Sequence, residues 1–233
     1  MIQYFKPSFW RVAMKDPLTW LALAVDLTPI IFVFMFGWGA TALVLLYWAE
    51  NILIGIATLG RIILSGFAKM GIAGAVLSLF LAAFFTFHYG LFCFGHGVFV
   101  FSFVDGDTGP VDMPGYESLK NMFVSAATYM PGMTFSLGLI AIYQFVAVVK
   151  DYWPSSDYEA PNPMEEMFSP YGRIVVLHIA IFAGAFAMAA LGDPMIGMLA
   201  LILLRAAYTV LGRTWRDKRG KEEDQILSNS SMS

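Results

Sequence analysis

Leu45-Leu46-Tyr47-Trp48-Ala49-Glu50-Asn51-Ile52-Leu53-Ile54 is apolar enough to lie in a lipid bilayer, yet it holds one carboxylate. The run extends from Ala40 to about Leu59 with no second charge, matching the roughly 20 residues that a helix needs to cross about 30 Å of hydrocarbon. An ionisable group at the centre of such a helix costs roughly 2.5 kcal/mol or more, so it faces the bundle interior and usually serves a purpose. The segment is therefore read as a transmembrane helix, and Glu50 as its inward-facing polar group.

The rest of the chain agrees. Hydrophobic residues make up 58% and charged residues 13%, about half the charged share of an ordinary soluble domain, and the mean hydropathy is +0.68. Apolar runs at 18–36, 40–59, 71–104, 133–149, 174–191 and 195–211 predict six transmembrane helices in one all-α integral-membrane bundle covering residues 1–212. The third run is too long for one untilted helix; it must tilt, project beyond the membrane, or break near Gly90, Gly95 and Gly97, and a different reading of this run gives five or seven spans. Gly37-Trp38-Gly39 suits a tight helical hairpin between the first two runs. Residues 213–233, charged and then Ser-rich, read as a disordered tail.

Lysine and arginine set the orientation. Lys6, Arg11 and Lys15 precede the first run, Arg61 and Lys69 separate the second and third, Lys150 and Arg173 flank the next loop, and Arg213 to Lys221 follow the sixth. The intervening loops hold only Lys120, and the stretch from Asp105 to Glu117 is acidic. Both termini are therefore expected on the cytoplasmic side of an inner (plasma) membrane. The first run is too long for a signal peptide, is interrupted by Asp26 and lacks an Ala-x-Ala site, so it is read as a retained span. The basic residues are scattered at span ends and form no groove for nucleic acid, and the apolar runs make the lipid bilayer the expected partner. A helix-packing partner or homo-oligomer is compatible with the Gly-rich pieces such as Gly71-Ile72-Ala73-Gly74.

All three histidines, His88, His96 and His178, also lie in apolar runs. His88 and His96 are eight residues apart, about 80° around and about 12 Å along one helix, so an unbroken helix cannot present both to one ion. Glu50 with His88, completed by His96 or His178, is the metal or proton-relay candidate, and a divalent transition metal (zinc, iron or copper) is the cofactor such a set would accept. Tyr47, Asn51, Asp26 and Arg205 are supporting polar candidates. An Asp26–Arg205 or Glu50–Arg205 pair would be a structural explanation, as would a protonated Glu50 bonding a neighbouring helix. Cys93, the one cysteine, excludes an internal disulfide. Asp105-Gly106-Asp107-Thr108-Gly109 opens like a calcium loop but lacks the later ligands in register. Met113, Met122, Met130 and Met133 are read as packing residues in preference to copper ligands.

Tyr47-Trp48-Ala49-Glu50-Asn51 together with His88-Tyr89-Gly90-Leu91-Phe92-Cys93-Phe94-Gly95-His96-Gly97 resembles a prokaryotic membrane-protein family known only as a domain of unknown function. The resemblance spans the first to the sixth run. It implies a multi-helix integral fold and carries no activity, substrate or cofactor. Three readings follow: an intramembrane metal-binding protein or metalloenzyme, a proton- or ion-coupled transporter or channel, and a structural membrane subunit.

Overall fold

A computed structural model describes residues 17–104, 116–152, 162–172 and 174–175, and every element among them is helical. The elements are α1 (Pro17–Phe36), α2 (Ala40–Val104), α3 (Tyr116–Thr128), α4 (Met133–Tyr152) and α5 (Pro163–Phe168). Four stretches are long and apolar enough to cross a membrane: Pro17–Phe36, Thr41–Ala68, Gly71–Val98 and Met133–Tyr152. The apolar runs at 174–191 and 195–211, and the tail, lie outside the described residues.

α1 begins at Pro17, where the missing N–H costs nothing because first-turn donors have no helical partner. It ends where Gly37 takes a positive φ of 64°, the left-handed conformation that commonly closes helices and that glycine adopts without strain. Trp38 then folds inward, 2% exposed, and its indole N–H donates to the Pro131 carbonyl at 3.0 Å. This bond joins the α1–α2 turn to the start of α4. The Phe32 ring covers Gly132, where an added Cβ would stand 3.2 Å from it. α1 and α4 therefore run antiparallel, with the end of one beside the start of the other.

α2 is two arms joined at Gly71, whose φ of 58° and ψ of −137° break the helical path. The arms fold back antiparallel. Beside the bend, Gly66 lets Ser78 and the Gly74 carbonyl approach so closely that any Cβ on it would stand 2.4 Å from Ser78 Cβ and 2.6 Å from Gly74 O. Ser65 and Ser78, both fully buried, satisfy their hydroxyls on the Ile62 and Ala75 carbonyls of their own arms. Small residues thus replace bulk at the contact, the usual means of close helix approach in lipid.

The third apolar run does not break at Gly90, Gly95 or Gly97; it is helical through Val104. Each arm of α2 counts 28 residues against 20 in α1 and in α4, so the arms are about 42 Å long and the other two about 30 Å. The far end of the bundle is tied by Arg61, whose Nη1 lies 2.7 Å from Asp151 Oδ2. The Tyr152 hydroxyl lies 3.1 Å from Glu166 Oε1 and 3.2 Å from the Arg61 carbonyl, one proton facing two acceptors. This side of the bundle carries Arg61, Lys69 and Lys150.

Two short helices escape a reading based on membrane spans. α3 places Met122 and Ala126 in the core, with Leu119, Phe123 and Ala127 packed beside them; their three- and four-residue spacing is the amphipathic signature. α5 begins at Asn162, whose side chain accepts from the Met164 N–H at 3.1 Å, with Pro163 in the first turn and Glu165 and Glu166 near the positive helix end. Both signals are local and short. Met122 and Met133 are 1% and 0% exposed, in keeping with packing roles.

Candidate functional site: a buried carboxylate layer

Eight of the nine side chains from Ala42 to Glu50, all but Val44, are buried. Here the first arm of α2 packs against α3, α4 and its own second arm, while α1 packs against α4. Glu50 is 3% exposed, Asp26 of α1 is 4% exposed, and Tyr47, one turn before Glu50, is 3% exposed. Asp26 lies ten residues before the end of α1 and Glu50 ten residues after the start of α2. Each carboxyl is thus about 15 Å along its helix from the Gly37–Gly39 turn, the middle of α1 and about a third of the way along the first arm of α2. Val25 and Ala49, their immediate neighbours, belong to one continuous core cluster. Two buried carboxyl groups on different helices are the distinctive chemistry of this bundle.

The two motifs that carry the family resemblance interlock. Trp48's indole N–H donates to the Cys93 carbonyl at 2.9 Å, and its six-membered ring sits on Gly97, where an added Cβ would stand 2.8 Å from Trp48 Cζ2 and 2.9 Å from Met122 Sδ. In return, the Tyr89 hydroxyl donates to the Asn51 carbonyl at 3.0 Å, while its ring fills the space over Gly55, 2.6 Å from where a Cβ would be. Phe101 meets the Trp48 ring edge-on at 5.6 Å. Trp48, Tyr89 and the two glycines therefore set the register of the arms, and with it the position of Glu50. Sequence reasoning drew attention to Glu50 and the histidines but not to these contacts, since their partners are about 40 residues apart.

That register places Glu50 level with Cys93, with His88 about a turn and a half towards the Arg61 side. Tyr89 and Cys93 face the first arm and are buried, whereas His88 is exposed. Its ring stacks on Phe84 at 5.6 Å with an interplanar angle of 7°, and the Tyr171 ring lies 6.2 Å away. Glu50 and His88 thus occupy different environments. His96 is half-buried, and its Nδ1 lies 3.1 Å from the Phe92 carbonyl, within its own helix. Asn51 is half-buried, its carbonyl engaged by Tyr89. His178 and Arg205 lie outside the described residues, as do the Asp105–Gly109 stretch and Met113. Among the described residues, no three of His, Cys, Asp and Glu converge on one point, so a metal centre built from these alone lacks a third ligand.

The Arg61–Asp151 pair, with Glu166 beside it through Tyr152, is a second charged centre that hydropathy alone does not locate. Its side chains are 7% and 20% exposed.

A chain whose described residues are all helical, with four apolar helices long enough to cross a membrane and two buried carboxyls, is, by class, suited to a lipid bilayer. More specifically, the chain belongs to the family of unknown function DUF6498, whose model matches residues 9–225. No curated protein and no solved structure matches it.

Proposed function

We propose that this is a six-span inner-membrane protein with both termini cytoplasmic, and that its Asp26–Glu50 layer takes up and releases a proton or small cation during a transport cycle. The observation that carries this reading is the near-complete burial of two carboxyls on separate helices, each ten residues from the turn that joins those helices. Ionised groups there are unfavourable unless a proton or cation accompanies them, so a change of occupancy changes which helix packing is favoured. Tyr47 supplies a hydroxyl one turn from Glu50, and His96 lies on the second arm towards the side of the bundle that holds Trp38. The six-span count adds the runs at 174–191 and 195–211 to the four helices, and the basic residues beside Arg61 give the cytoplasmic side.

The test is ion flux into liposomes containing purified protein, together with infrared difference spectra of carboxyl protonation across a pH series. Wild type should show a pH-driven flux and a protonated-carboxyl band. Glu50→Gln should lose both while keeping its elution profile. Flux unchanged in Glu50→Gln would refute the assignment. About one zinc, iron or copper ion per chain, lost in both Glu50→Gln and His88→Ala, would instead favour the metal reading, with His178 supplying a further ligand.

A further inference from the structure

α3 is too short to cross a bilayer. From Tyr116 to Thr128 it rises about 18 Å, against about 30 Å of hydrocarbon. Its direction is nevertheless fixed by several contacts. The turn after it holds Pro131, whose carbonyl accepts from Trp38 in the α1–α2 turn, so α3 ends level with the end of α1. Thr134, in the first turn of α4, donates to the Ala127 carbonyl at 2.7 Å, which makes α3 and α4 a helical hairpin. Further back along α3, Met122 Sδ lies over Gly97. Leu119 packs against the cluster of Leu81, Phe85, Tyr89 and Cys93, all nearer the Gly71 bend than Gly97. α3 therefore descends into the bundle beside the second arm of α2; it does not lie flat across the end.

Its two faces differ. Met122 and Ala126 are buried in the core, whereas Lys120, Asn121, Val124, Ser125 and Thr128 are exposed. Four of those five are polar or charged. Eight residues of helix separate Lys120 from Thr128, so the Lys120 Cα lies about 12 Å inside the edge of the bundle. Through the pairing of Ala127 with Thr134, Ile142 of α4 lies at nearly the same depth, and it is exposed as an apolar residue facing lipid should be. An ammonium and an amide do not suit acyl chains there, because polar groups within a bilayer turn to protein or water. Snorkelling is no remedy: side chains on a helix lean towards its N-terminus, which for α3 is the deeper end. Exposed side chains of this chemistry, at this depth, call for water.

We propose that α3 is a re-entrant half-helix, and that its Lys120–Asn121–Ser125–Thr128 edge lines a water-filled vestibule, open to the outer side, by which the ion of the Asp26–Glu50 layer enters. The second arm of α2 also ends on that side, at Val104. Partial spans are tolerated at membrane depth where they are buried in protein or line a water-filled cavity, and α3 has one face in each setting. Glu50 lies about 15 Å along its arm from the outer turn, a distance that α3 covers. It is 3% exposed, so the vestibule stops short of it. The inference rests on the transport reading and its orientation.

Thiol labelling of intact cells tests it, using the full chain with Cys93→Ala and a membrane-impermeant maleimide added from outside. Lys120→Cys, Asn121→Cys and Ser125→Cys should react as Thr128→Cys does. Ala126→Cys, on the core face, and Ile142→Cys, facing lipid at the depth of Lys120, should stay unlabelled. A label at position 120 should also abolish the pH-driven flux in liposomes. Reaction at Thr128→Cys with none at positions 120 and 121 would mean that lipid or protein covers the face, and would overturn the vestibule. Reaction at Ile142→Cys alongside Lys120→Cys would put both outside the hydrocarbon and overturn the half-helix, as would reaction at Ala126→Cys. Full labelling at position 120 with flux intact would remove its role as the ion's route. Thr128→Cys reached only after permeabilisation would reverse the orientation beneath the proposal. Labelling is read without flux, so a failure of the transport reading in Glu50→Gln is seen separately from a failure of the vestibule.

Discussion

Gly97→Ala isolates the interlock that positions Glu50. The new methyl would stand 2.8 Å from Trp48 Cζ2, 3.0 Å from Trp48 Cε2 and 2.9 Å from Met122 Sδ, against about 3.5–4.0 Å for a relaxed carbon contact. Met122 is flexible but 1% exposed, so it has little room to withdraw. The indole is held by its bond to the Cys93 carbonyl. Relief therefore requires the arms to separate by several tenths of an ångström or the indole to leave its acceptor. Overpacking of this kind costs about 1–3 kcal/mol, and a lost hydrogen bond adds about 0.5–1.5 kcal/mol. Replacing glycine by alanine in a helix returns up to about 1 kcal/mol, so the net loss is about 1–3 kcal/mol. Gly138→Ala in α4 is the control: open space surrounds that position, and it should be neutral or slightly stabilising through the same propensity gain. Reversible unfolding in mixed micelles, followed by tryptophan fluorescence, reads both. Gly97→Ala as stable as Gly138→Ala would refute the register of the α2 arms and the placement of Glu50 that depends on it.

Four further outcomes are expected. Gly55→Ala should destabilise through the Tyr89 ring, and combining it with Tyr89→Leu should relieve most of the loss, as a double-mutant cycle would show. Trp48→Phe should cost about 1 kcal/mol, because the Cys93 carbonyl keeps its helical partner while the indole N–H is lost; a change beyond about 4 kcal/mol would mean that Trp48 does more than pack. Arg61→Met should cost about 2–3 kcal/mol, less than a fully buried pair because Asp151 retains solvent contact; Arg61→Met with Asp151→Leu should recover much of it, measured by thermal survival on size exclusion. Glu50→Gln should stay within about 1 kcal/mol of wild type if the carboxyl is protonated in the resting protein, and a loss of several kcal/mol in the same unfolding assay would show an ionised, paired Glu50.

Hydropathy read the spans well because their lengths are set by the bilayer. The expected 18–36 and 133–149 became Pro17–Phe36 and Met133–Tyr152, and the turn at Gly37 fell where the glycines suggested. The second span was expected to end before Arg61, since a charge normally marks the membrane edge. The helix runs on because Asp151 neutralises Arg61 from α4, a pairing invisible without the fold. Facing was harder still. A helix that is apolar on all sides offers no moment from which to tell inward from outward, so nothing in the run around His88 showed that Tyr89 and Cys93, not the histidine, turn to the first arm. Distance along a helix could be counted from span ends, and Asp26 and Glu50 each lie ten residues from the Gly37–Gly39 turn. Their partners could not be counted, because they depend on the inter-arm register.

That register has a consequence for biosynthesis. The arms of α2 are joined by a bend at Gly71 with no connecting loop, so the first arm cannot complete its packing before the second has emerged. Trp48 waits for Cys93 and Gly97, and Asn51 for Tyr89. A nascent chain halted before Gly97 would hold Glu50 in a helix without its cover, exposed to the insertion machinery or to lipid. The bend thus makes the two arms a single unit of membrane insertion, and quality control during synthesis should act on chains arrested within it.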